Sequence, residues 1–226
     1  MAAPAMFLVC GKDLRLELRT RESLTAAFFF AVLVQLVFSF AFQFQELSLR
    51  FEDVGAGLIW ITLTFSAILS LQNSFLIERE RDCLQALALC PADPSAIFLG
   101  KLTANVVLIL TVQSMILPLS VVLFGYHLSA AALPVAAVVV VNTVGFSALG
   151  TLFAAVTVRT RRSELLLPLL LFPAATPLVI WGVKATRLCL AERGLSSYGY
   201  LLTLSACFDA IFIVAGILLF DYVLEE

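Results

Sequence analysis

Long apolar runs separated by short polar segments dominate this chain. An α-helix needs about 20 mostly apolar residues to cross the hydrocarbon of a bilayer. Six runs reach that length and predict spans over 24–44, 54–76, 102–124, 135–158, 165–185 and 201–224. Because open strands would leave backbone groups unpaired in lipid, these spans are predicted to be helices. The expected fold is an all-α, polytopic membrane protein in which residues 1–226 form one transmembrane domain.

The segment over 7–23 is too polar to cross a membrane. Phe7, Gly11, Leu14 and Leu18 recur in it at helical spacing, with charged residues between them. This periodicity favours a helix lying in the membrane interface. The alternative is a basic tail that only sets topology. No cleavable signal peptide is expected, because no small-residue cleavage site follows the first apolar run.

Composition supports the bilayer as the solvent of this chain. Of its 226 residues, 62% are hydrophobic and 13% are charged, and the mean hydropathy is +1.04. Soluble domains carry about 25% charged residues, and a chain of this length could not enclose so much apolar surface. The net charge of −2 indicates no nucleic-acid partner.

Lysine and arginine are distributed unevenly between the two sides of the predicted bundle. Ten of the 14 precede the first span or lie between spans two and three or four and five. The other four lie on the opposite side, at Arg50, Lys184, Arg187 and Arg193. By the positive-inside rule, both termini are predicted to be cytoplasmic, in a multi-pass membrane protein.

The segment over 77–101, which we call the coupling segment, carries the densest charge between two spans. Alternating charges open it, a short leucine pattern follows, and prolines break it before the third span. We interpret it as a cytoplasmic surface that a partner grips, so that its movement displaces the attached helices. The residues predicted to make this contact are Glu78, Arg79, Glu80, Arg81, Leu84, Leu87, Pro91 and Lys101.

Two features inside the spans point to special packing. The fifth span contains Pro168, Pro173 and Pro177, which break backbone hydrogen bonds and predict a kinked helix at a subunit or bundle interface. Asp209 is an ionisable residue within the sixth span, where such groups are costly. An ion pair with Lys184, or a wet cavity, is favoured over a transport relay.

Residue patterns for catalysis or metal binding are absent from the sequence. The five cysteines do not form a disulfide framework, and His127 has no second ligand nearby. There is no phosphate-binding loop with its lysine, no nucleophile elbow and no metalloprotease motif. The sequence therefore predicts a non-catalytic subunit without a metal or cofactor of its own, which draws energy from a partner.

Several of these motifs resemble one family of membrane proteins. The six spans, the N-terminal helix and the coupling segment resemble the exporter-type permeases of ATP-binding cassette (ABC) transporters. More closely, the chain is similar to cytochrome c maturation protein B, the haem exporter permease family. The motifs that carry this similarity are Leu167-Pro168 through Phe172-Pro173 to Thr176-Pro177-Leu178, Ile116-Leu117-Pro118-Leu119 and Arg159–Arg162. Asp82 and Gln85 depart from the family pattern, where glycine and glutamate are common.

The resemblance implies a function and a set of partners. Two copies of the chain would form the membrane core, and two separate ATPase subunits would dock on the coupling segments. ATP bound by those partners would drive the loading or release of haem on a periplasmic haem chaperone, with haem as the cargo. A tryptophan-rich haem-handling membrane subunit would complete the complex. This chain is not that subunit, because it has only Trp60 and Trp181.

Two other functions remain open from the sequence. One is an ABC permease that exports a different cargo, such as a lipid or polysaccharide, since the coupling segment does not distinguish cargoes. The other is a non-conducting scaffold that relays the state of the ATPase to its neighbours. The small number of polar residues within the spans favours the scaffold slightly: Gln72, Asn73, Asn105, Gln113, Asn142 and Asp209.

Overall fold

The computed structural model describes residues 2–43, 51–72, 93–124, 131–157, 163–191 and 194–225. Within these ranges every secondary-structure element is an α-helix. The helices are α1 (Ala2–Thr20), α2 (Glu22–Gln43), α3 (Phe51–Gln72), α4 (Pro94–Phe124), α5 (Ala132–Thr157), α6 (Ser163–Leu190) and α7 (Leu195–Glu225). Six of them, α2 to α7, are long and apolar enough to cross a membrane. The predicted all-α, polytopic fold is confirmed.

The start of α4 differs most from the predicted boundaries. The helix begins at Pro94 rather than at 102, so residues 94–101 of the coupling segment are its first turns. Asp93 explains this start, because its Oδ1 accepts hydrogen bonds from the Ser95 amide (3.1 Å) and the Ser95 hydroxyl (2.8 Å). Aspartate before the first turn and proline at its first position are both strong helix-start signals. Residues 94–101 of the coupling segment therefore belong to the same helix as the predicted third span.

One residue, Arg21, joins α1 to α2. Its φ of 56° places it in the left-handed region, a common conformation directly after a helix C-terminus. Its amide donates to the Glu17 carbonyl (2.6 Å), and its carbonyl accepts from the Thr25 amide (2.9 Å). The chain thus turns from α1 into the first predicted span without a flexible linker.

The bundle is organised around α4 and α5. Helix α5 packs against α3, α4, α6 and α7, while α4 contacts α1, α2, α3, α5 and α7. Two buried apolar clusters fill the interior, one around Leu149 and Phe220 and the other around Trp60 and Val138. The outward surface is also apolar: Val122 is 79% exposed and Leu133 is 82% exposed. Large apolar side chains on the outside of an apolar bundle are expected where lipid, not water, surrounds it.

Candidate functional site

A buried ion pair joins α1 to the first turns of α4. The Lys101 side chain has no exposed surface, and its Nζ lies 3.3 Å from Oδ2 of Asp13. The other oxygen of Asp13 lies 3.0 Å from Nζ of Lys12, whose side chain is half exposed. Because an uncompensated buried charge is very costly, this pairing makes the burial of Lys101 tolerable. Lys101 is the only predicted coupling residue among those that the structure describes.

The backbones of α1 and α4 approach closely beside this ion pair. A Cβ added at Gly100 would lie 2.9 Å from the Met6 carbonyl oxygen and 2.9 Å from Cβ of Val9. The first of these neighbours is backbone and cannot rotate away, so the contact requires glycine. We call the contact formed by Met6, Val9, Asp13, Gly100 and Lys101 the α1–α4 junction.

Glu17 connects the same face of α1 to the start of α2. Its carboxylate accepts hydrogen bonds from the Ser23 hydroxyl (2.8 Å) and the Leu24 amide (2.9 Å), and the side chain is buried. A carboxylate that satisfies a free amide in the first turn of a helix also interacts favourably with the helix dipole. Helix α1 is therefore attached to α4 through Asp13 and to α2 through Glu17.

The two faces of α1 carry opposite charges. Asp13 and Glu17, one helical turn apart, face the bundle, while the outward face combines basic and apolar side chains. That exposed face contains Phe7, Leu8, Lys12, Arg15, Leu18 and Arg19. Such a mixed face suits a helix at a membrane surface, and the interfacial position of α1 stays a prediction. Asp13 and Glu17 are not among the residues predicted from the sequence, although their four-residue spacing opposite the basic residues is a visible signal.

A second polar feature, the polar seam, runs through the interior of the bundle along α5. Its residues are neutral and pair across helix contacts, which avoids the cost of burying unpaired polar groups. The amide of Asn105 donates to Thr151 (2.8 Å) and the hydroxyl of Thr143 donates to Gln113 (2.8 Å) between α4 and α5, and the hydroxyl of Ser205 donates to Asn142 (3.3 Å) between α7 and α5.

Asp209 lies one turn beyond Ser205 on α7 and faces α5. Its side chain is 6% exposed, and its Oδ1 has no hydrogen-bond partner among the described residues. A Cβ added at Gly145 would overlap the carboxylate, so the carboxylate occupies space that the glycine leaves free. Asp209 on α7 therefore fills the space beside Gly145 of α5. It is not one of the hydrogen-bonded pairs of the seam.

The structure does not bring Lys184 to Asp209 as the sequence predicted. Lys184 is exposed, and these two described side chains make no ion pair or hydrogen bond with each other. In this region the two helices, α6 and α7, meet instead through the rings of Trp181 and Phe208, whose centroids lie 6.0 Å apart.

The prolines of the fifth span lie inside one continuous helix. Pro168, Pro173 and Pro177 all fall within Ser163–Leu190, which the structure assigns as helical throughout. Beside them, α3 and α6 form an open apolar groove with a cavity of about 190 Å³. Its lining residues are Ile61, Thr64, Phe65, Phe172, Thr176, Val179 and Ile180. The predicted role of this helix at a subunit interface stays a prediction.

The remaining predicted contact residues fall outside the described part of the chain. These are Glu78, Arg79, Glu80, Arg81, Leu84, Leu87 and Pro91, and His127 also falls there. Among the residues that the structure does describe, no group of three His, Cys, Asp or Glu side chains is placed to hold a metal ion.

The fold is that of an all-α, polytopic membrane protein. Helix α1 packs against the first turns of α4, and neutral polar pairs lie inside the bundle. The chain matches the family model described as CcmB protein over residues 4–219. It therefore belongs to the CcmB protein family.

Three relatives carry the name "Heme exporter protein B". The protein from Rhodobacter capsulatus is 31% identical over 185 residues, covering 80% of this chain and 82% of the relative. The protein from Paracoccus denitrificans is 33% identical over 181 residues, covering 78% and 79%. The protein from Pseudomonas aeruginosa is 29% identical over 201 residues, covering 88% and 87%.

Proposed function

We propose that this chain is the membrane-embedded permease subunit of an ABC transporter for haem export in the biogenesis of c-type cytochromes. The observation that carries this proposal is membership of the CcmB protein family across almost the whole chain. The relatives named as heme exporters favour haem over a lipid or polysaccharide cargo. The chain is a non-catalytic subunit, and ATP is hydrolysed by a separate subunit.

The ATPase subunit docks on the coupling segment at the cytoplasmic face. Two facts support this arrangement. The segment combines alternating charge with Leu84 and Leu87, and its end continues directly into α4. A docked leucine contributes about 1.5–3 kcal/mol through burial of its side chain, and the charges give the contact its register. Both termini are on the same cytoplasmic side, as the distribution of lysine and arginine predicts.

The complex contains further membrane components. A homodimer of this chain brings two coupling segments to two ATPase subunits, and the exposed apolar surface along the proline-containing α6 is the proposed interface. The complex also contains a haem-handling membrane subunit. ATP hydrolysis drives the loading or release of haem on a periplasmic haem chaperone. Haem is the cargo of this system, and this chain supplies no residue to which we assign haem binding.

Co-purification from native membranes tests this function most simply. We expect the tagged wild-type chain to carry an ABC ATPase and a haem-handling membrane subunit with it. Recovery of the ATPase together with lipid- or polysaccharide-modifying proteins, and without any haem-handling subunit, would support the other cargo instead.

The docking site has its own test. Glu80→Arg combined with Leu87→Asp should abolish co-purification of the ATPase, because it reverses a charge and places another in an apolar contact. Insertion of the chain into the membrane should be unchanged. As a matched control, the same two types of substitution at Glu22 and Leu195, outside the coupling segment, should leave the ATPase bound. Retention of the ATPase by the first variant would refute the docking proposal.

Cysteine labelling tests the orientation. A membrane-impermeant reagent should reach cysteines introduced at positions 50 and 193 from the periplasmic side. Cysteines introduced at positions 81 and 161 should react only after the membrane is opened. The opposite labelling pattern would overturn the cytoplasmic assignment of both termini.

A further inference from the structure

We propose that α1 transmits movement of the coupling segment to α2, the first span, and that Asp13 is the positioning residue of this connection. The inference rests on the proposed function, in which an ATPase subunit displaces the coupling segment. It goes beyond that function by naming the path along which the displacement travels inside this chain.

The first step of the path is from the coupling segment to α1. Helix α4 begins at Pro94 and continues without interruption past Lys101, so a displaced coupling segment moves these turns as a rigid unit. Gly100 allows the backbone of α4 to lie against the Met6 carbonyl of α1. Because no side chain separates the two backbones at this point, α1 and α4 pack closely, and we expect them to move together.

The second step is from α1 to α2. The Glu17 carboxylate holds the Leu24 amide and the Ser23 hydroxyl at the start of α2. Only Arg21 separates the two helices, and its backbone is hydrogen-bonded on both sides. A connection of one constrained residue transmits a displacement, whereas a flexible linker would absorb it.

The ion pair between Asp13 and Lys101 sets the register of this path. Apolar contacts between helices tolerate sliding, but Lys101 is fully buried and its Nζ lies 3.3 Å from Oδ2 of Asp13. Sliding by one turn would move these two atoms apart by about 5.4 Å and break the ion pair. Fixing the register of a helix contact is the best-attested role of a buried polar pair. We assign that role to Asp13, which touches neither cargo nor nucleotide.

The test uses the full complex and four variants. These are Asp13→Asn, Lys101→Met, the neutral pair Asp13→Asn with Lys101→Met, and the exchanged pair Asp13→Lys with Lys101→Asp. For each variant we would measure the amount of chain in the membrane, co-purification and activity of the ATPase, and the content of c-type cytochromes in cells. Lys12→Gln is the matched control, because Lys12 contacts the same carboxylate from the exposed side.

In the neutral pair we expect ATP hydrolysis to continue while the formation of c-type cytochromes falls. The neutral pair should accumulate and hydrolyse ATP like the wild type, yet lower the cytochrome content by about fivefold or more, the usual lower bound for a lost coupling. The exchanged pair should restore much of the cytochrome content, and Lys12→Gln should be normal. Single variants that fail to accumulate do not affect this test, because the neutral pair removes both charges of the Asp13–Lys101 ion pair together.

Two results would decide against the inference. If the neutral pair forms normal amounts of c-type cytochromes, the ion pair does not set the path. If the exchanged pair accumulates but performs no better than the neutral pair, the register is not set by charge pairing. Failure of the wild-type chain to bind an ATPase subunit would be a different outcome, because it contradicts the proposed function rather than the role of Asp13.

Discussion

The α1–α4 junction and the polar seam along α5 use polar residues in different ways. At the junction the polar groups are charged and paired, with Lys101 against Asp13 and Glu17 against the start of α2. In the seam the paired groups are neutral amides and hydroxyls. The carboxylate of Asp209, which lies next to the seam, has one oxygen without a partner among the described residues.

This difference follows from the distance to water. At the junction the Asp13 side chain stays 14% exposed, while Lys101 is fully buried and depends on the ion pair, so the geometry of the pair can specify register. In the middle of a span the same charge would be much more expensive, and neutral pairs suffice to hold helices together. We infer that the junction carries specificity and movement, whereas the seam and Asp209 serve packing.

The largest effect is expected from steric disruption of the junction. Gly100→Val should lower the free energy of unfolding by about 3 kcal/mol, because the new side chain meets the fixed Met6 carbonyl and such overpacking costs up to that amount. Unfolding of the purified chain in mixed micelles by increasing detergent denaturant would measure it. Gly11→Val is the matched control on α1, since nothing lies within 4 Å of a Cβ at Gly11. Equal effects of both substitutions would show that the close approach is unimportant.

A smaller loss is expected when the charge of the junction is removed. Asp13→Asn should destabilise the chain by about 2 kcal/mol, below the 3–5 kcal/mol seen for fully buried pairs, because the Asp13 side chain is 14% exposed. The same unfolding measurement applies. Lys12→Gln should change stability by less than about 0.5 kcal/mol, as exposed ion pairs contribute little. A larger loss for Lys12→Gln than for Asp13→Asn would contradict the geometry.

Breaking one pair of the seam should cost less again. Ser205→Ala and Asn142→Leu should couple by about 0.6 kcal/mol in a double-mutant cycle, the average for hydrogen bonds between transmembrane helices. The cycle separates the pair from the other contacts of each residue. A coupling near zero would mean that the 3.3 Å contact between Ser205 and Asn142 does not hold α5 to α7.

The smallest loss of stability is expected at Asp209. Asp209→Asn should leave the free energy of unfolding unchanged or raise it by up to about 1 kcal/mol, because it removes a charge whose position inside a span is costly. The amide is nearly the same size, so the packing against Gly145 is kept. Clear destabilisation of the purified chain would show that the carboxylate makes a stabilising contact that the amide cannot make.

The sequence predicted the helices better than it predicted their contacts. The apolar runs and the absence of any soluble pattern were sufficient for the all-α fold with six spans, which the structure confirms. The predicted span from 102 marks an apolar run, and the helix that contains it begins earlier, at Pro94, directly after the helix-start signal of Asp93. Span boundaries read from hydropathy mark the hydrocarbon, not the helix.

The candidate site was predictable only in part. Lys101 was selected because it ends the charged segment, but its partner Asp13 is 88 residues away in sequence, and no local pattern fixes such a pairing. No ion pair joins Asp209 and Lys184 among the described residues, because the order of two helices along the chain does not fix which of their side chains meet. The contacts of Glu80 and Leu87 stay predictions, because both residues fall outside the described ranges.

The most direct measurement compares the same chemical change at the two regions. Asp13→Asn and Asp209→Asn each convert a carboxylate to an amide, and the quantity to measure is the amount of c-type cytochrome formed relative to the ATP hydrolysed by the complex. We expect a strong fall for Asp13→Asn and a normal value for Asp209→Asn. A normal value for Asp13→Asn, together with an ATP-hydrolysing but maturation-deficient Asp209→Asn complex, would contradict this expectation and place the function in the interior of the bundle.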